Sequence, residues 1–205
     1  MNVHGNSLTL IRVGIESAEE LLPAFNGDEQ FLRWSGYPCG TMTLSQVRDD
    51  IQEMSALPSG ITWRIADLEE TLIGAAETVF HPSPSKGWIA LLIIQRGFQG
   101  RGYGREAATL LEDYLFSSPE VTELGLGVLV QNTPAQAFWE KRGYVRIAQR
   151  SNTHGNDCYV CHLPRSTPAK GECKNPDSRM RQFNQTIRNA RSNAKGPHSV
   201  EGLLS

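Results

Sequence analysis

The chain has 205 residues, of which 39% are hydrophobic and 20% charged, with 19 Gly, 11 Pro and 4 Cys. This length can bury one good core, and the composition excludes collagen, a coiled coil and a small disulfide-stapled domain. The longest apolar run, residues 88–94, is far shorter than the ~20 residues of a membrane span. No secretory signal is visible at the N-terminus, so we expect a cytoplasmic protein with no membrane partner.

The net charge of −2 conceals an asymmetry between two parts of the chain. Residues 1–164 carry 12 Lys and Arg against 19 Asp and Glu, a net charge of −7, whereas residues 165–205 carry 8 against 3, a net charge of +5. The apolar periodicity stops after Pro164, where polar and helix-breaking residues begin. We therefore assign one domain to residues 1–164 and a basic, polar tail, disordered or loosely docked, to residues 165–205.

The tail offers only weak signals of its own. Apolar residues at helical spacing make a short helix over 177–194 one alternative. Its positive charge without interleaved aromatic residues argues against a nucleic-acid partner.

The domain alternates between predicted strands and helices in chain order. Strands are predicted at 8–13, 62–67, 72–80, 88–94, 124–130, 145–149 and 157–163, helices at 16–25, 44–57, 102–116 and 134–142, and a loop at 31–40. The three successive strands joined by short turns should be antiparallel neighbours, and the strand–helix repeat that follows should add a parallel connection. The pattern predicts a mixed sheet with helices on both faces.

A glycine-rich turn between the apolar strand at 88–94 and the next helix is the most informative segment. Its glycines permit positive φ and a close approach of the backbone to a ligand (Gly100, Gly102 and Gly104). The helix start adds unpaired N–H groups and the positive end of its dipole. Arginines at 96, 101 and 105 add cations, so the turn predicts a phosphate-bearing ligand. A dinucleotide fingerprint and a P-loop fit poorly, because the glycines follow the strand too late and no Gly-Lys-Ser/Thr closes the turn.

Two motifs resemble those of the GNAT superfamily of acyl-CoA-dependent N-acyltransferases. The pattern Gln/Arg-x-x-Gly-x-Gly/Ala is met by residues 99–104, and Asn-x-x-Ala-x-x-Phe-Tyr-x-x-x-Gly-Phe/Tyr is met by residues 132–144 except that Trp139 replaces the Tyr. The resemblance covers about residues 7–164. It implies an α/β (α+β) fold with a mixed, mostly antiparallel sheet of six to seven strands, helices on both faces and a splayed central strand pair.

The resemblance further implies acetyl-CoA as co-substrate and no metal. The strand before the turn would pair with the pantetheine amides, and the turn would hold the pyrophosphate. The implied cofactor-binding residues are Leu92, Ile93, Ile94, Arg96, Gln99, Gly100, Arg101, Gly102, Tyr103, Gly104, Arg105, Asn132, Ala135 and Phe138.

Catalysis needs a neutral amine, a stabilised oxyanion and a protonated thiolate, since a lysine-like amine with a pKa of ~10.4 is mostly protonated at pH 7. The family's usual Glu and Tyr positions hold Trp88 and Trp139, which cannot titrate. We therefore expect catalytic roles for Glu77, His81 and Tyr103, although Glu77 could be a solvated strand residue and His81 a loop residue. Tyr144 could donate a proton but better fits an aromatic core position. A backbone N–H near Ile94 would hold the oxyanion.

The acceptor is predicted only by class. The charge of −7 favours a cationic primary amine on a small molecule, such as a polyamine or an aminoglycoside-like compound, or on a protein. In the family the loop after the first helix often walls the acceptor site, where Trp34 and Tyr37 could bind substrate or simply fasten the loop. Formation of a homodimer is left open.

Three alternatives accompany this interpretation. The two tryptophans would also suit a catalytically weak acyl-CoA-binding protein with a regulatory role, and the basic tail would suit an acetyltransferase of nucleic-acid-bound substrates. The string Cys158–His162 resembles a haem-attachment or zinc motif, but residues three apart on a strand face opposite sides and cannot share an ion. Four cysteines suit a reducing cytosol.

Overall fold

The computed structural model describes residues 1–80, 85–151 and 155–165. The helices are α1 Ala18–Phe25, α2 Glu29–Trp34, α3 Leu44–Ala56, α4 Tyr103–Phe116 and α5 Thr133–Lys141. The strands are β1 Asn2–His4, β2 Leu8–Val13, β3 Ile61–Asp67, β4 Leu72–Phe80, β5 Lys86–Ile94, β6 Glu123–Leu129, β7 Val145–Ser151 and β8 Asp157–Pro164. His81 and the predicted helix at 177–194 lie outside the described residues, and the domain boundary at 164 stays a prediction.

The strands form one sheet in the order β1-β2-β3-β4-β5-β6-β8-β7. Its neighbours are antiparallel except β5 and β6, which are parallel because α4 returns the chain to the starting end of the sheet. The predicted mixed, mostly antiparallel fold is confirmed. The sheet has eight strands rather than six to seven, because the unpredicted β1 pairs with β2.

Two apolar clusters cover the two faces of the sheet, as predicted. On one side, here called the α1–α3 face, Phe25 and Ile51 pack with Leu91 and Ile93 of β5. On the other, the α4–α5 face, Leu111 packs with Trp63 and Leu124. Burial of these side chains on both faces makes the sheet the rigid frame that holds the candidate site.

Helix α2 corrects the predicted loop at 31–40. Asp28 begins the helix, since its Oδ1 accepts a hydrogen bond from the Phe31 N–H at 3.0 Å. An aspartate in this capping position satisfies an otherwise unpaired amide, and this signal outweighs the local Gly and Pro content. In the described part of the chain, none of the helices has the length and apolar character that crossing a bilayer requires.

Candidate functional site

A cavity opens in the middle of the sheet where the parallel strands part. β5 and β6 pair only over Lys86–Ile89 and Glu123–Leu126, although they continue to Ile94 and Leu129. The space between them has a volume of about 470 Å³ and is here called the cleft. Splaying of the central pair, expected from the family resemblance, is therefore present in the structure.

A β-bulge accounts for the separation of the two strands. In the β4–β5 ladder Glu77 lies opposite Leu91, but the next residue, Thr78, lies opposite Ile89, which leaves Ala90 without a partner. A bulge bends its strand and increases the local twist. Because Ala90 directly follows the last residue that pairs with β6, β5 turns away from β6 at this point.

The cleft runs through the sheet and is lined from both faces. Its walls come from the diverging strands, the glycine-rich turn, the first turn of α4, helix α5 and the start of α2. The lining residues are Asp28, Phe31, Ile89, Ala90, Leu91, Leu92, Ile93, Ile94, Gln99, Gly100, Gly102, Gly104, Arg105, Leu126, Gly127, Val128, Asn132, Pro134, Ala135, Phe138 and Trp139.

The glycine-rich turn presents backbone rather than side chains to the cleft. Gly100 and Gly102 have φ of +75° and +92°, and a Cβ placed on either would meet no atom of the described residues within 4 Å. This left-handed backbone favours glycine, and the empty space beside it leaves room for a ligand to approach closely. Gly102 also precedes α4, whose first amides have no partner within the helix. With Arg105 in the lining, the turn has the chemistry of an anion site.

Hydrogen bonds fix the turn to the neighbouring walls. The Gln99 side-chain amide donates to the Ile94 carbonyl at 2.8 Å and to Asp28 Oδ2 at 3.3 Å. The Arg96 N–H donates to the Gly27 carbonyl at 2.9 Å. The turn is thereby joined to the α1–α2 connection, so the two walls of the cleft keep a fixed spacing.

Helix α5 supplies the aromatic wall. Asn132 begins this helix, because its Oδ1 accepts from the Ala135 N–H at 3.1 Å. Trp139 lines the cleft and meets Phe138 and Tyr144 edge-on, with centroids 4.9 and 5.1 Å away. Burial is the main cause that raises the pKa of Tyr144. Tyr144 is a buried core residue, which agrees with the expectation that it fills an aromatic core position.

Most of the residues predicted to bind the cofactor line the cleft. The exceptions are Arg96, Arg101 and Tyr103. The Arg101 guanidinium lies 5.7 Å from the Phe98 ring centroid, and Tyr103 meets the same ring at 6.3 Å. These side chains contact Phe98 and do not line the cleft, so a role for Tyr103 as proton donor stays a prediction.

Glu77 is fully buried, with 0% of its surface exposed, which excludes the alternative of a solvated strand residue. It belongs to β4 and lies opposite Leu91, beside the bulge. The Thr62 hydroxyl donates to Glu77 Oε1 at 3.0 Å. Glu77 does not line the cleft itself, but it adjoins a residue that does.

Tyr37 connects Glu77 with acidic residues of α3. Burial raises the pKa of the Tyr37 hydroxyl, and the carboxylates of Asp50, Glu53 and Glu77 raise it further. Two predicted site residues from separate segments, Tyr37 and Glu77, are thus close enough to interact. Trp34, the other predicted substrate residue, is half-buried at the end of α2 and does not line the cleft.

Several residues of the site were missed in the sequence. Asp28 and Phe31 enter the cleft because α2 replaces the predicted loop, and the capping aspartate was the available signal.

Trp88 packs its ring over Gly125, where a Cβ would lie 2.3 Å from ring carbons. Trp88, which stands where family members commonly carry a Glu, is therefore a packing residue.

The cysteine string shows no sign of a reactive site. Burial raises the pKa of the Cys161 thiol to about 11, so it is not a thiolate at neutral pH. Within the described residues, no three His, Cys, Asp or Glu side chains are grouped as metal ligands.

The mixed sheet with a splayed parallel pair and a glycine-rich turn at a helix start agrees with the fold that the sequence resemblance implies. The sequence model of the acetyltransferase (GNAT) family matches residues 29–144, and the chain belongs to that family. No curated protein matches the sequence.

Solved structures show the same fold. An acetyltransferase from Thermus thermophilus is 24% identical with a TM-score of 0.64, covering 80% of this chain and 100% of its own. A spermidine N-acetyltransferase SpeG chimera from Vibrio cholerae and hSSAT is 16% identical with a TM-score of 0.61, covering 78% and 96%. An aminoglycoside acetyltransferase in complex with coenzyme A is 21% identical with a TM-score of 0.64, covering 78% and 95%.

Proposed function

We propose that the protein is an N-acetyltransferase that moves the acetyl group of acetyl-CoA to a primary amine of a cationic small molecule or protein. The amine attacks the thioester directly while both substrates are bound. The observation that carries the proposal is the cleft itself, which opens between splayed strands and ends at a glycine-rich turn with the chemistry of an anion site. We place the reaction in the cytoplasm.

The residues of the turn fit the phosphates of coenzyme A. The backbone at Gly100 and Gly102 has open space where side chains would otherwise stand. The unpaired first amides of α4 and the positive end of its dipole favour a pyrophosphate there. Arg105 supplies a full positive charge within the lining.

The diverging strand β5 fits the pantetheine arm. After Ile89 the edge of β5 that faces β6 pairs with no strand of the described residues, yet Ile93 and Ile94 are buried. Buried backbone amides need hydrogen-bond partners, and an extended ligand with its own amides can supply them. Leu92, Ile93 and Ile94 would bind the arm, with Asn132, Ala135 and Phe138 on the opposite wall.

The α1–α3 face beside the cleft is acidic. The carboxylates of Asp50, Glu53 and Glu77 lie close enough to Tyr37 on this face to raise the pKa of its hydroxyl. Carboxylates attract a cationic amine and disfavour anionic acceptors. Two of the similar structures bear names of enzymes for spermidine and aminoglycosides, both cationic amines, which supports the same acceptor class.

Glu77 is the proposed general base. An amine with a pKa of ~10.4 must lose a proton before attack and a second one as the amide forms. Glu77 lies next to Leu91 at the bulge, where β5 leaves β6, and Thr62 holds one of its oxygens. A backbone N–H of the diverging strand would hold the oxyanion.

The alternative is an acyl-CoA-binding protein with weak catalysis. The observation in its favour is that buried tryptophans, Trp88 and Trp139, stand where family members carry a Glu and a Tyr. An assay of thiol release from acetyl-CoA with a panel of polyamines, aminoglycosides and lysine peptides separates the two. Amine-dependent release supports the proposal, whereas tight binding of coenzyme A without release supports the alternative.

A further inference from the structure

One carboxylate joins three strands at the closed end of the cleft. Glu123 belongs to β6, and its Oε1 lies 2.5 Å from Lys86 Nζ on β5. Its Oε2 lies 3.1 Å from His162 Nδ1 on β8. We call Lys86, Glu123 and His162 the closing triad.

Two members of the closing triad are buried and the third is half-buried. Only 4% of Lys86 and 6% of His162 are exposed, whereas the side chain of Glu123 is 29% exposed. Burial raises the pKa of the Glu123 carboxyl, but hydrogen bonds and charge from His162 and Lys86 bring it down to about 2. Glu123 therefore stays ionised at neutral pH, and removing its charge would leave a buried ammonium without a counterion, which is strongly unfavourable.

Glu123 is also the only hydrogen-bond partner of the His162 ring within the described residues. The Nδ1–H donates to Glu123, while Nε2 is buried without a partner in that part of the chain. This hydrogen bond therefore helps to orient the buried imidazole.

The closing triad lies on the short ladder from which the cleft opens. Lys86 and Glu123 are the first of four residue pairs between β5 and β6, and the last is Ile89 with Leu126. In the middle of this ladder the Trp88 ring packs on Gly125. Because so few pairs join the strands, their relative angle depends strongly on what fixes this segment.

We propose that Glu123 is a positioning residue that fixes the angle between β5 and β6 and thereby the width of the pantetheine slot. No member of the closing triad lines the cleft, so it acts only through the strands. This inference rests on the proposed function, in which acetyl-CoA occupies the cleft. The nucleotide end should be insensitive to Glu123, since the turn is fixed separately by Gln99 and Arg96.

The test compares two ligands that share the nucleotide end. Glu123→Gln should weaken binding of coenzyme A about tenfold in titration calorimetry, because the slot no longer fits the pantetheine arm. Binding of adenosine 3′,5′-bisphosphate, which lacks that arm, should stay within about twofold. Glu140→Gln is the matched control, since it breaks an exposed carboxylate–arginine pair with Arg146 away from the cleft.

A pair of substitutions at His162 tests whether the hydrogen bond carries the effect. His162→Asn retains a side-chain N–H at the position of Nδ1 and should bind coenzyme A almost as the wild type does. His162→Leu removes the donor and should resemble Glu123→Gln. Equal affinities of these two variants would contradict the inference.

The outcomes distinguish this inference from the proposed function. Equal weakening of both ligands by Glu123→Gln, or no weakening of either, would overturn the positioning role and leave the proposed function intact. Wild-type protein that fails to bind coenzyme A would overturn both. Should Glu123→Gln not fold, the two His162 variants decide with the same two ligands: loss of affinity for coenzyme A alone in His162→Leu supports the inference, and equal loss for both ligands or no loss contradicts it.

Discussion

The nucleotide end of the cleft and the proposed amine site beside the cleft are built in different ways. The nucleotide end consists of backbone, with Gly100, Gly102 and the start of α4 contributed by one continuous segment. The amine site consists of side chains brought together from the segment after α2, from α3, β3 and β4, among them Tyr37, Thr62 and Glu77, which adjoin the cleft but do not line it. A backbone site leaves a compact motif in the sequence, whereas a side-chain site is distributed and can change residue by residue. This difference explains why the cofactor is easier to infer than the acceptor.

The largest expected effect is at the amine site. Glu77→Gln keeps the size of the side chain but cannot accept a proton, so kcat/KM should fall by about 10²–10⁴. Its pH profile should also shift upward, because the amine must then arrive deprotonated. Steady-state kinetics with one cationic amine across pH checks this, and Glu69→Gln, on the exposed β3–β4 turn, is the control. An unchanged pH profile would remove Glu77 as the base.

The second-largest expected effect is a loss of affinity for coenzyme A caused by a substitution at the nucleotide end. Gly102→Val places a β-branched side chain at φ +92° and into the space beside the turn, so affinity for coenzyme A should drop about a hundredfold. Gly97→Ala, in the same connection, meets no atom within 4 Å and should have little effect. Titration calorimetry measures both. Equal affinities of the two variants would show that the turn does not hold the phosphates.

The third prediction concerns Glu123 at the closed end of the cleft, whose contribution to the free energy of unfolding should depend on pH. The pKa of Glu123 lies at about 2 in the fold against an ordinary 4.5, so its ionisation stabilises the protein above pH 4.5. That contribution, roughly 2–3 kcal/mol, is lost as the pH falls from 4.5 towards 2. The difference in free energy of unfolding between the wild type and Glu123→Gln should therefore shrink over this range. Urea unfolding at several pH values checks it, and a constant difference would contradict it.

The smallest expected effect is a change in the KM of one substrate but not of the other. Tyr37→Phe removes a hydroxyl that lies among three carboxylates, so the KM for the amine should rise about threefold. The KM for acetyl-CoA should not change, because Tyr37 lies beside the cleft among carboxylates and is not one of the residues proposed to bind the cofactor. Initial-rate kinetics with each substrate varied in turn measures both constants. A rise in the acetyl-CoA constant instead would place Tyr37 with the cofactor.

Prediction from sequence succeeded where local signals were strong. Strands β2 and β4 have the predicted bounds, and the glycine-rich turn lies at the start of α4 as expected. It failed where tertiary contacts decide: β1 is three residues long and exists by pairing with β2. The bulge at Ala90 has no signature in the all-apolar segment 88–94, and the acidic surroundings of Tyr37 depend on how α3 packs on the sheet.

The closing triad was beyond sequence reasoning for a similar reason. Lys86, Glu123 and His162 are far apart in the chain and lie at the ends of three different strands. His162 drew notice only as part of a cysteine string. Its partner is fixed by the β6–β8 register, which places it opposite Gly125, two residues from Glu123.

The most direct test of the central claim is to incubate the wild type and Gly102→Val with acetyl-CoA and a cationic amine, and to quantify free thiol and acetylated amine together. We expect the wild type to form the two products in equal amounts and only when the amine is present, and Gly102→Val to form almost none at low acetyl-CoA. Binding of coenzyme A by the wild type without any acetylated amine, across polyamines, aminoglycosides and lysine peptides, would contradict the account.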